Sequence, residues 1–238
     1  MHSDLIILAW TAAGIGLIHT VTGPDHYLPF IVMGRARQWS LMKIFSITLL
    51  CGVGHIVGSV VLGFIGIGAG IAVHELVEIE SLRGNIAAWG LTAFGLIYML
   101  WGLRRAYRNR LHTHEHSHLD GQLHIHEHSH SEEHAHVHEA QDQSVRLTPW
   151  ALFIIFILGP CEPLIPLLMF PAAEKSLAGV ALIAGIFGVV TIATMTGIVV
   201  LVHTGVRHLP LGRLERYTHT LAGGTLAVSG LAILVLGL

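Results

Sequence analysis

Three side chains that can bind a metal ion lie close together in the first apolar stretch of the chain: His19, Asp25 and His26. The two histidines are seven residues apart, which returns to nearly the same face of a helix after two turns. A carboxylate in mid-membrane costs about 3 kcal/mol unless it is satisfied, so Asp25 needs a metal, a proton or a basic partner. His55, in a glycine-rich run of the next apolar stretch, adds a further imidazole. One such histidine alone would indicate packing, whereas four ionisable groups in two adjacent stretches indicate function.

The motif around Asp25 is echoed in the second half of the chain. Gly23-Pro24-Asp25-His26 corresponds to Gly159-Pro160-Cys161-Glu162 at a constant offset of 136 residues. Thiolate, carboxylate and imidazole together suit a late first-row divalent ion better than calcium or magnesium, which prefer oxygen ligands. The sequence therefore predicts a metal site between the two halves. Its predicted ligands are His19, Asp25, His26, His55, Cys161 and Glu162.

The composition is that of an integral membrane protein. Hydrophobic residues make up 53% of the chain and charged residues 12%, with a mean hydropathy of +0.65. Soluble domains carry about 25% charged residues. A net charge of −2 gives no reason to expect a nucleic-acid partner. No arrangement of a nucleophile and a soluble cleft is recognisable, so we expect neither an enzyme nor a prosthetic group.

Six apolar stretches are long enough to cross a bilayer, which takes about 20 residues in a helix. The first and the fourth each contain a Gly-Pro, and proline breaks a helix because it lacks an N–H and clashes with the preceding turn. We therefore predict an all-α fold of six transmembrane helices with broken first and fourth helices. The predicted spans are residues 5–33, 41–73, 86–103, 149–172, 177–202 and 217–238.

The basic residues predict the orientation. All 13 Lys and Arg residues except Arg83 and Lys175 fall in three of the five connecting loops. The positive-inside rule puts those loops in the cytoplasm and both termini outside, in the inner cell membrane. Three helices per half then make the halves a 3+3 inverted repeat, the arrangement of many transporters with a midplane site. The predicted units are residues 1–104, a loop at 105–147, and residues 148–238.

A histidine-rich segment lies in the predicted loop between the third and fourth spans. Its polarity and low complexity predict disorder, although histidine at every second position could also suggest a strand. Neutral imidazole binds zinc, copper, nickel and cobalt, so we expect a flexible array that binds several ions interchangeably. A solvated linker is the alternative. The accessory metal-binding histidines are His112, His114, His116, His118, His124, His126, His128, His130, His134, His136 and His138.

These motifs resemble a known group of membrane proteins. His19-x5-Asp25-His26 is similar to the His-x4-Asp-His signature of the nickel/cobalt transporter (NiCoT) family, and its wider form, His-x-x-x-Gly-Pro-Asp-His, to UreH-type membrane proteins. Gly54-His55 resembles the Gly-His motif of that family's next helix, and the histidine-rich loop resembles that of RcnA-type nickel/cobalt exporters. The chain departs from the uptake family in having six spans rather than eight, one more residue between His and Asp, and Gly-Pro-Cys-Glu in the second half. The resemblance implies that His19, Asp25, His26 and His55 bind the transported metal.

The expected function is secondary transport of Ni²⁺ or Co²⁺ by alternating access, with zinc or another divalent transition metal as the alternative cargo. Export is favoured over uptake, with Asp25 and Glu162 offsetting the charge of the ion or exchanging protons. The expected partners are the metal ion and membrane lipid, and a cytoplasmic metal carrier is a further candidate. The alternatives are a CcdA-like thiol-disulfide electron carrier, which would need Cys51 and Cys161 to meet, and an organic-anion or sulfite exporter of similar plan.

Overall fold

The computed structural model describes residues 2–108, 112–117, 123–128, 143–174, 176–207 and 212–236. Nearly all of these residues are helical. The α-helices are α1 (His2–Thr22), α2 (Leu28–Ala36), α3 (Leu41–Ala69), α4 (Val73–Arg108), α5 (Gln143–Leu158), α6 (Leu164–Ala173), α7 (Leu177–Arg207) and α8 (Thr218–Leu236). Short 3₁₀ turns at Pro24–His26 and Gly212–Tyr217 precede α2 and α8.

Five helices in the described part of the chain are long and apolar enough to cross a membrane. They are Asp4–Thr22, Leu41–Ala69, Val73–Arg108, Leu177–Val206 and Leu214–Val235, and a shorter apolar helix runs over Thr148–Leu158. Large apolar side chains such as Trp10, Leu201 and Val235 lie exposed on the outside of the bundle, as a lipid-facing surface requires. The expectation of a helical protein suited to a membrane is confirmed at this level.

Both Gly-Pro motifs interrupt their helices where the sequence predicted. In the first break (residues 23–27), α1 ends at Thr22 and α2 begins at Leu28. In the second break (residues 159–163), α5 ends at Leu158 and α6 begins at Leu164. The physical cause is the proline of each motif, which has no N–H to continue the helical hydrogen bonds.

Helix α4 is longer than predicted. The sequence placed a span at residues 86–103, whereas the helix runs from Val73 to Arg108. The additional turns at the amino end of the helix contain polar residues of the predicted outer loop. Among them Glu80 is fully buried and pairs with Arg83 one turn away.

The most extensive packing between helices in the described part of the chain is that of α4 against α8. Glycines line this interface, and a methyl group on Gly95, Gly102 or Gly223 would collide with the backbone of the opposite helix. Small residues allow such close approach where no hydrophobic force drives helices together. Helix α3 packs against α7 and α5, so the middle of α3 faces the second break.

The histidine-rich segment contains two short antiparallel strands, β1 (His112–Ser117) and β2 (Leu123–His128). Disorder of the segment as a whole stays a prediction, and the two strands follow the alternation of histidine at every second position. Directly opposed residues share a face of an antiparallel pair. The register opposes His112 with His128, His114 with His126, and His116 with His124. The predicted ligands His118, His130, His134, His136 and His138 lie outside the described residues.

Candidate metal centre

Three imidazoles converge beside the first break. His19 lies in the last turn of α1, His26 ends the 3₁₀ turn of the break, and His55 lies at the middle of α3. One ring nitrogen from each lies within 4.8 Å of the others. The His19 and His26 ring centroids are 4.6 Å apart, and those of His26 and His55 are 5.3 Å apart. The seven-residue spacing of His19 and His26 thus brings them together through a broken helix rather than along a continuous one.

The hydrogen bonds of two of these histidines direct their second nitrogens into the cluster. His26 Nδ1 lies 3.1 Å from the Gly23 carbonyl oxygen, and His55 Nδ1 lies 3.2 Å from the Phe156 carbonyl oxygen. A carbonyl can only accept, so each Nδ1 donates its hydrogen and each Nε2 keeps a free lone pair. In the described part of the chain the Nε2 atoms of His19, His26 and His55 are buried and have no hydrogen-bond partner. An unsatisfied buried polar atom costs about 1–3 kcal/mol, and a metal ion would satisfy all three.

Asp25 supports the cluster from its edge. Its Oδ1 lies 3.3 Å from His26 Nδ1, and its side chain is 26% exposed, against 3% for His26. A carboxylate on the outer nitrogen of a ligating imidazole orients the ring and makes it a stronger donor to a metal. The negative charge of Asp25 also offsets part of the charge of a bound cation. In this arrangement Asp25 contacts the candidate ligand His26, and its carboxylate is not one of the three grouped donor atoms.

Gly23 is required for this geometry because the His26 ring folds back over it. A Cβ at position 23 would lie 2.6 Å from His26 Nδ1 and 2.9 Å from Asp25 Oδ1. The backbone of Gly23, at φ −90° and ψ 91°, is open to other residues, so the restriction comes from space alone.

A cavity of about 220 Å³ lies between the two breaks. The three histidines and Asp25 line one side of it, and the second break contributes Gly159, Pro160 and Glu162. Small residues of α4, including Ala87 and Ala88, complete the wall. A water molecule takes up about 30 Å³ of liquid, so the cavity has room for an ion and several waters.

The second half contributes less to the cluster than the sequence predicted. Glu162 lies on the cavity wall with an exposed side chain. Cys161 is fully buried among apolar residues such as Leu164 and Ile183, and the cavity wall does not include it. The structure thus brings together the three histidines, places Asp25 and Glu162 beside them, and directs Cys161 into the apolar packing. Adjacent residues of a tight turn point in different directions, which separates Cys161 from Glu162.

Glu80 and Arg83 lie beside this site, although both fall in the predicted outer loop between the second and third spans. Arg83 Nη1 is 2.7 Å from Glu80 Oε1, and Arg83 Nη2 donates to the carbonyl oxygens of Ile157 and Gly159. A Glu and an Arg three residues apart face the same side of a helix, and this spacing was the available signal. Their contact with the second break depends on how α4 packs, which the spacing does not reveal.

Comparisons with known proteins give limited likenesses. No protein-family model and no solved structure matches the chain. It is similar to the Arabidopsis thaliana protein named Chloroplast protein FOR GROWTH AND FERTILITY 2, with 28% identity over 104 residues, or 43% of this chain and 25% of that protein. It is also similar to Chloroplast protein FOR GROWTH AND FERTILITY 1 of the same plant, with 29% identity over 100 residues, or 42% of this chain and 25% of that protein. The matched region thus spans about a quarter of the length of each relative.

Proposed function

We propose that this protein is a secondary transporter that moves a divalent transition metal ion, Ni²⁺ or Co²⁺, across a membrane. The observation that carries the proposal is the convergence of three imidazoles on a cavity between two broken helices, each with a buried Nε2 that has no hydrogen-bond partner in the described chain. Broken helices at matching positions of two halves are typical of the central site of secondary transporters.

The donor atoms favour a transition metal. Imidazole nitrogen binds nickel, cobalt, copper and zinc, whereas calcium and magnesium prefer oxygen. The resemblance of His19, Asp25, His26 and His55 to the NiCoT motifs favours nickel or cobalt among these ions. The donor set alone also suits zinc, which is the alternative cargo.

The helix packing supports a 3+3 inverted repeat, with α5 and α6 together as the fourth span. Helix α1 packs against α7, and its counterpart α5 packs against α3, the counterpart of α7. Helix α2 packs against α7 and α8. Its counterpart α6 packs against α3 and α4, which are the counterparts of α7 and α8. When each helix is replaced by its counterpart in the other half, the contact between α3 and α7 maps onto itself, and so does the contact between α4 and α8. Rocking of two such halves around the cavity would expose the bound ion to either side in turn.

The proposed orientation follows the basic residues, with both termini outside and the histidine-rich hairpin in the cytoplasm after Arg108. This position suits collection of cytoplasmic ions before export, which we favour over uptake. The inner cell membrane is the proposed location, and the names of the plant relatives make a chloroplast membrane the alternative.

The structure offers less support to the two other classes of function. Cys51 and Cys161 are both buried, and each packs in a different apolar cluster, whereas a thiol-disulfide carrier needs two thiols that meet. An anion exporter needs a basic group facing its substrate. The ionisable side chains on the cavity wall are imidazoles and carboxylates, and Arg83 is engaged with Glu80 and two carbonyls beside it.

Flux measurements in proteoliposomes that contain a metal-sensitive dye test the proposal. We expect His26→Ala and His55→Ala to reduce Ni²⁺ and Co²⁺ flux to the level of empty liposomes, since each removes one of three converging nitrogens. His74→Ala, which changes an exposed histidine near the start of α4, is the matched control. Flux at the wild-type rate in the cluster variants, at equal protein incorporation, would contradict the proposal. Deleting residues 112–138 should shift the apparent affinity more than it abolishes flux.

A further inference from the structure

The second break leaves backbone groups open in a region of low polarity. The last carbonyls of α5 lack their usual helical donors because the helix ends at Leu158, and of those that bear on His55 and Arg83 only the Phe156 oxygen accepts a backbone N–H, from Gly159 at 3.1 Å. Pro160 and Pro163 remove two amide donors from the turn that follows. Inside a membrane each unsatisfied backbone group costs several kcal/mol, so other parts of the protein must supply partners.

Three carbonyls, two at the end of α5 and one in the break, accept hydrogen bonds from His55 and Arg83. The Phe156 oxygen accepts from His55 Nδ1 at 3.2 Å. The Ile157 and Gly159 oxygens accept from Arg83 Nη2 at 3.1 and 2.9 Å. Phe156 and Ile157 are adjacent, so any movement of the segment that Arg83 holds also moves the carbonyl that orients His55.

Glu80 holds the other side of the same turn. One of its oxygens pairs with Arg83, and Oε2 accepts from the Cys161 N–H at 3.3 Å. The cation thus faces the carboxyl end of α5, and the anion faces the segment leading into the amino end of α6. Both placements are favourable to the helix dipoles. Glu80 is fully buried and Arg83 is 18% exposed, so solvent screens the pair little.

Two glycines give the break room to approach this ion pair. A Cβ at Gly58 would lie 3.1 Å from the Ile157 oxygen and 3.2 Å from Arg83 Nη2. A Cβ at Gly84 would lie 2.6 Å from Pro160 Cγ. Helices α3 and α4 are therefore shaped to hold the second break in one position.

The repeat supplies no equivalent Glu-Arg pair to the first break. Its Gly23 carbonyl is satisfied from within the same motif, by His26. The residues at the repeat offset from Glu80 and Arg83 are Arg216 and His219, so the repeat does not reproduce the Glu-Arg pair. The pair therefore acts on the second break, beside the Phe156 carbonyl that orients His55.

We propose that Glu80 and Arg83 are positioning residues for the metal site: their ion pair fixes the second break, and the fixed Phe156 carbonyl holds His55 with its Nε2 directed at the ion. As a statement about metal affinity this rests on the proposed function. The orientation of His55 can be measured without any metal. Partners that orient a metal-binding histidine in this way contribute about 10- to 100-fold to metal affinity.

The test uses the full-length chain with ¹⁵N-labelled histidine. In metal-free protein we expect the His55 signal, assigned by its loss in His55→Gln, to show one tautomer with the proton on Nδ1. The variant Glu80→Gln/Arg83→Gln replaces both charges, which avoids leaving one of them buried without its partner. We expect the double variant to show a mixture of His55 tautomers. Arg83→Lys keeps the positive charge but loses the guanidinium group that reaches two carbonyls, so its share of the Nδ1 tautomer should lie between those of the wild type and the double variant. The matched control is Glu78→Gln, an exposed carboxylate on the same helix, which should leave the His55 signal unchanged.

Cobalt binding to the same proteins separates the two proposals. We expect the apparent Co²⁺ affinity of the His55-dependent site to fall by about 10- to 100-fold in the double variant. If the double variant keeps its fold and the single His55 tautomer, the positioning role is overturned. If the tautomer changes as expected but the wild type binds no cobalt at this site, the positioning role stands and the proposed function fails.

Discussion

Replacing Gly23 with alanine tests how tightly the first break holds His26. The new methyl group would lie 2.6 Å from His26 Nδ1, where ordinary contacts begin at 3.4 Å, so the ring must retreat by about 0.8 Å. Functional constellations tolerate displacements of about 0.5 Å. The displaced ring also loses its hydrogen bond to the Gly23 carbonyl, which fixes the tautomer.

The expected effect is on metal affinity rather than on folding. The backbone angles of Gly23 are open to alanine, so the substitution adds little strain elsewhere. Loss of an orienting hydrogen bond at a metal-binding histidine costs about 10- to 100-fold in affinity, equivalent to about 1.4–2.7 kcal/mol. We therefore expect a Ni²⁺ dissociation constant raised by that factor and an almost unchanged thermal unfolding temperature.

Calorimetric titration of protein lacking residues 112–138 measures this change without a contribution from the histidine-rich segment. Gly14→Ala is the matched control, because it makes the same substitution in α1 at a position where a Cβ meets nothing within 4 Å. Wild-type affinity in Gly23→Ala would refute the reasoning. An equal loss in Gly14→Ala would show that a glycine-to-alanine change in this part of the chain weakens binding without acting through the position of His26.

Further predictions concern protons, thiols and the hairpin. Metal binding at the cluster should weaken as the pH falls, because protons compete for the same imidazole lone pairs; a pH-independent affinity in the titration would contradict this. The Cys51→Ala/Cys161→Ala variant should retain metal flux, because each thiol packs in a separate apolar cluster, and loss of flux at normal expression would favour the redox alternative. Exchanging His126 with Glu127 keeps the composition but removes the histidine opposed to His114 in the strand register, so fewer ions should bind tightly to purified protein; an unchanged ion count would favour an interchangeable array.

The helix breaks and the histidine cluster were predictable because local rules determine them. Pro24 and Pro160 cannot continue a helix whatever surrounds them, and apolar length locates the helices that they interrupt. His19, His26 and His55 could be chosen because ionisable groups are costly in an apolar stretch. Which nitrogen faces the cavity could not be predicted, because it depends on carbonyl oxygens, including one from α5.

The contribution of the second half was harder to predict because it depends on tertiary packing. Cys161 has the chemistry of a ligand, but the turn of the second break directs it into an apolar cluster. Glu80 and Arg83 lie near the end of an apolar stretch, and their sequence is typical of a solvated helix surface. Only the packing of α4 against the second break buries Glu80 and brings the pair to the carbonyls beside His55.

The most direct test of the central claim is X-ray absorption spectroscopy of nickel- or cobalt-loaded protein lacking residues 112–138, together with its metal content. We predict one ion per chain with three imidazole nitrogens among its ligands, and loss of that ion in His26→Ala. Protein that binds no ion without the histidine-rich segment, or a bound ion that persists unchanged in His26→Ala, would contradict the account.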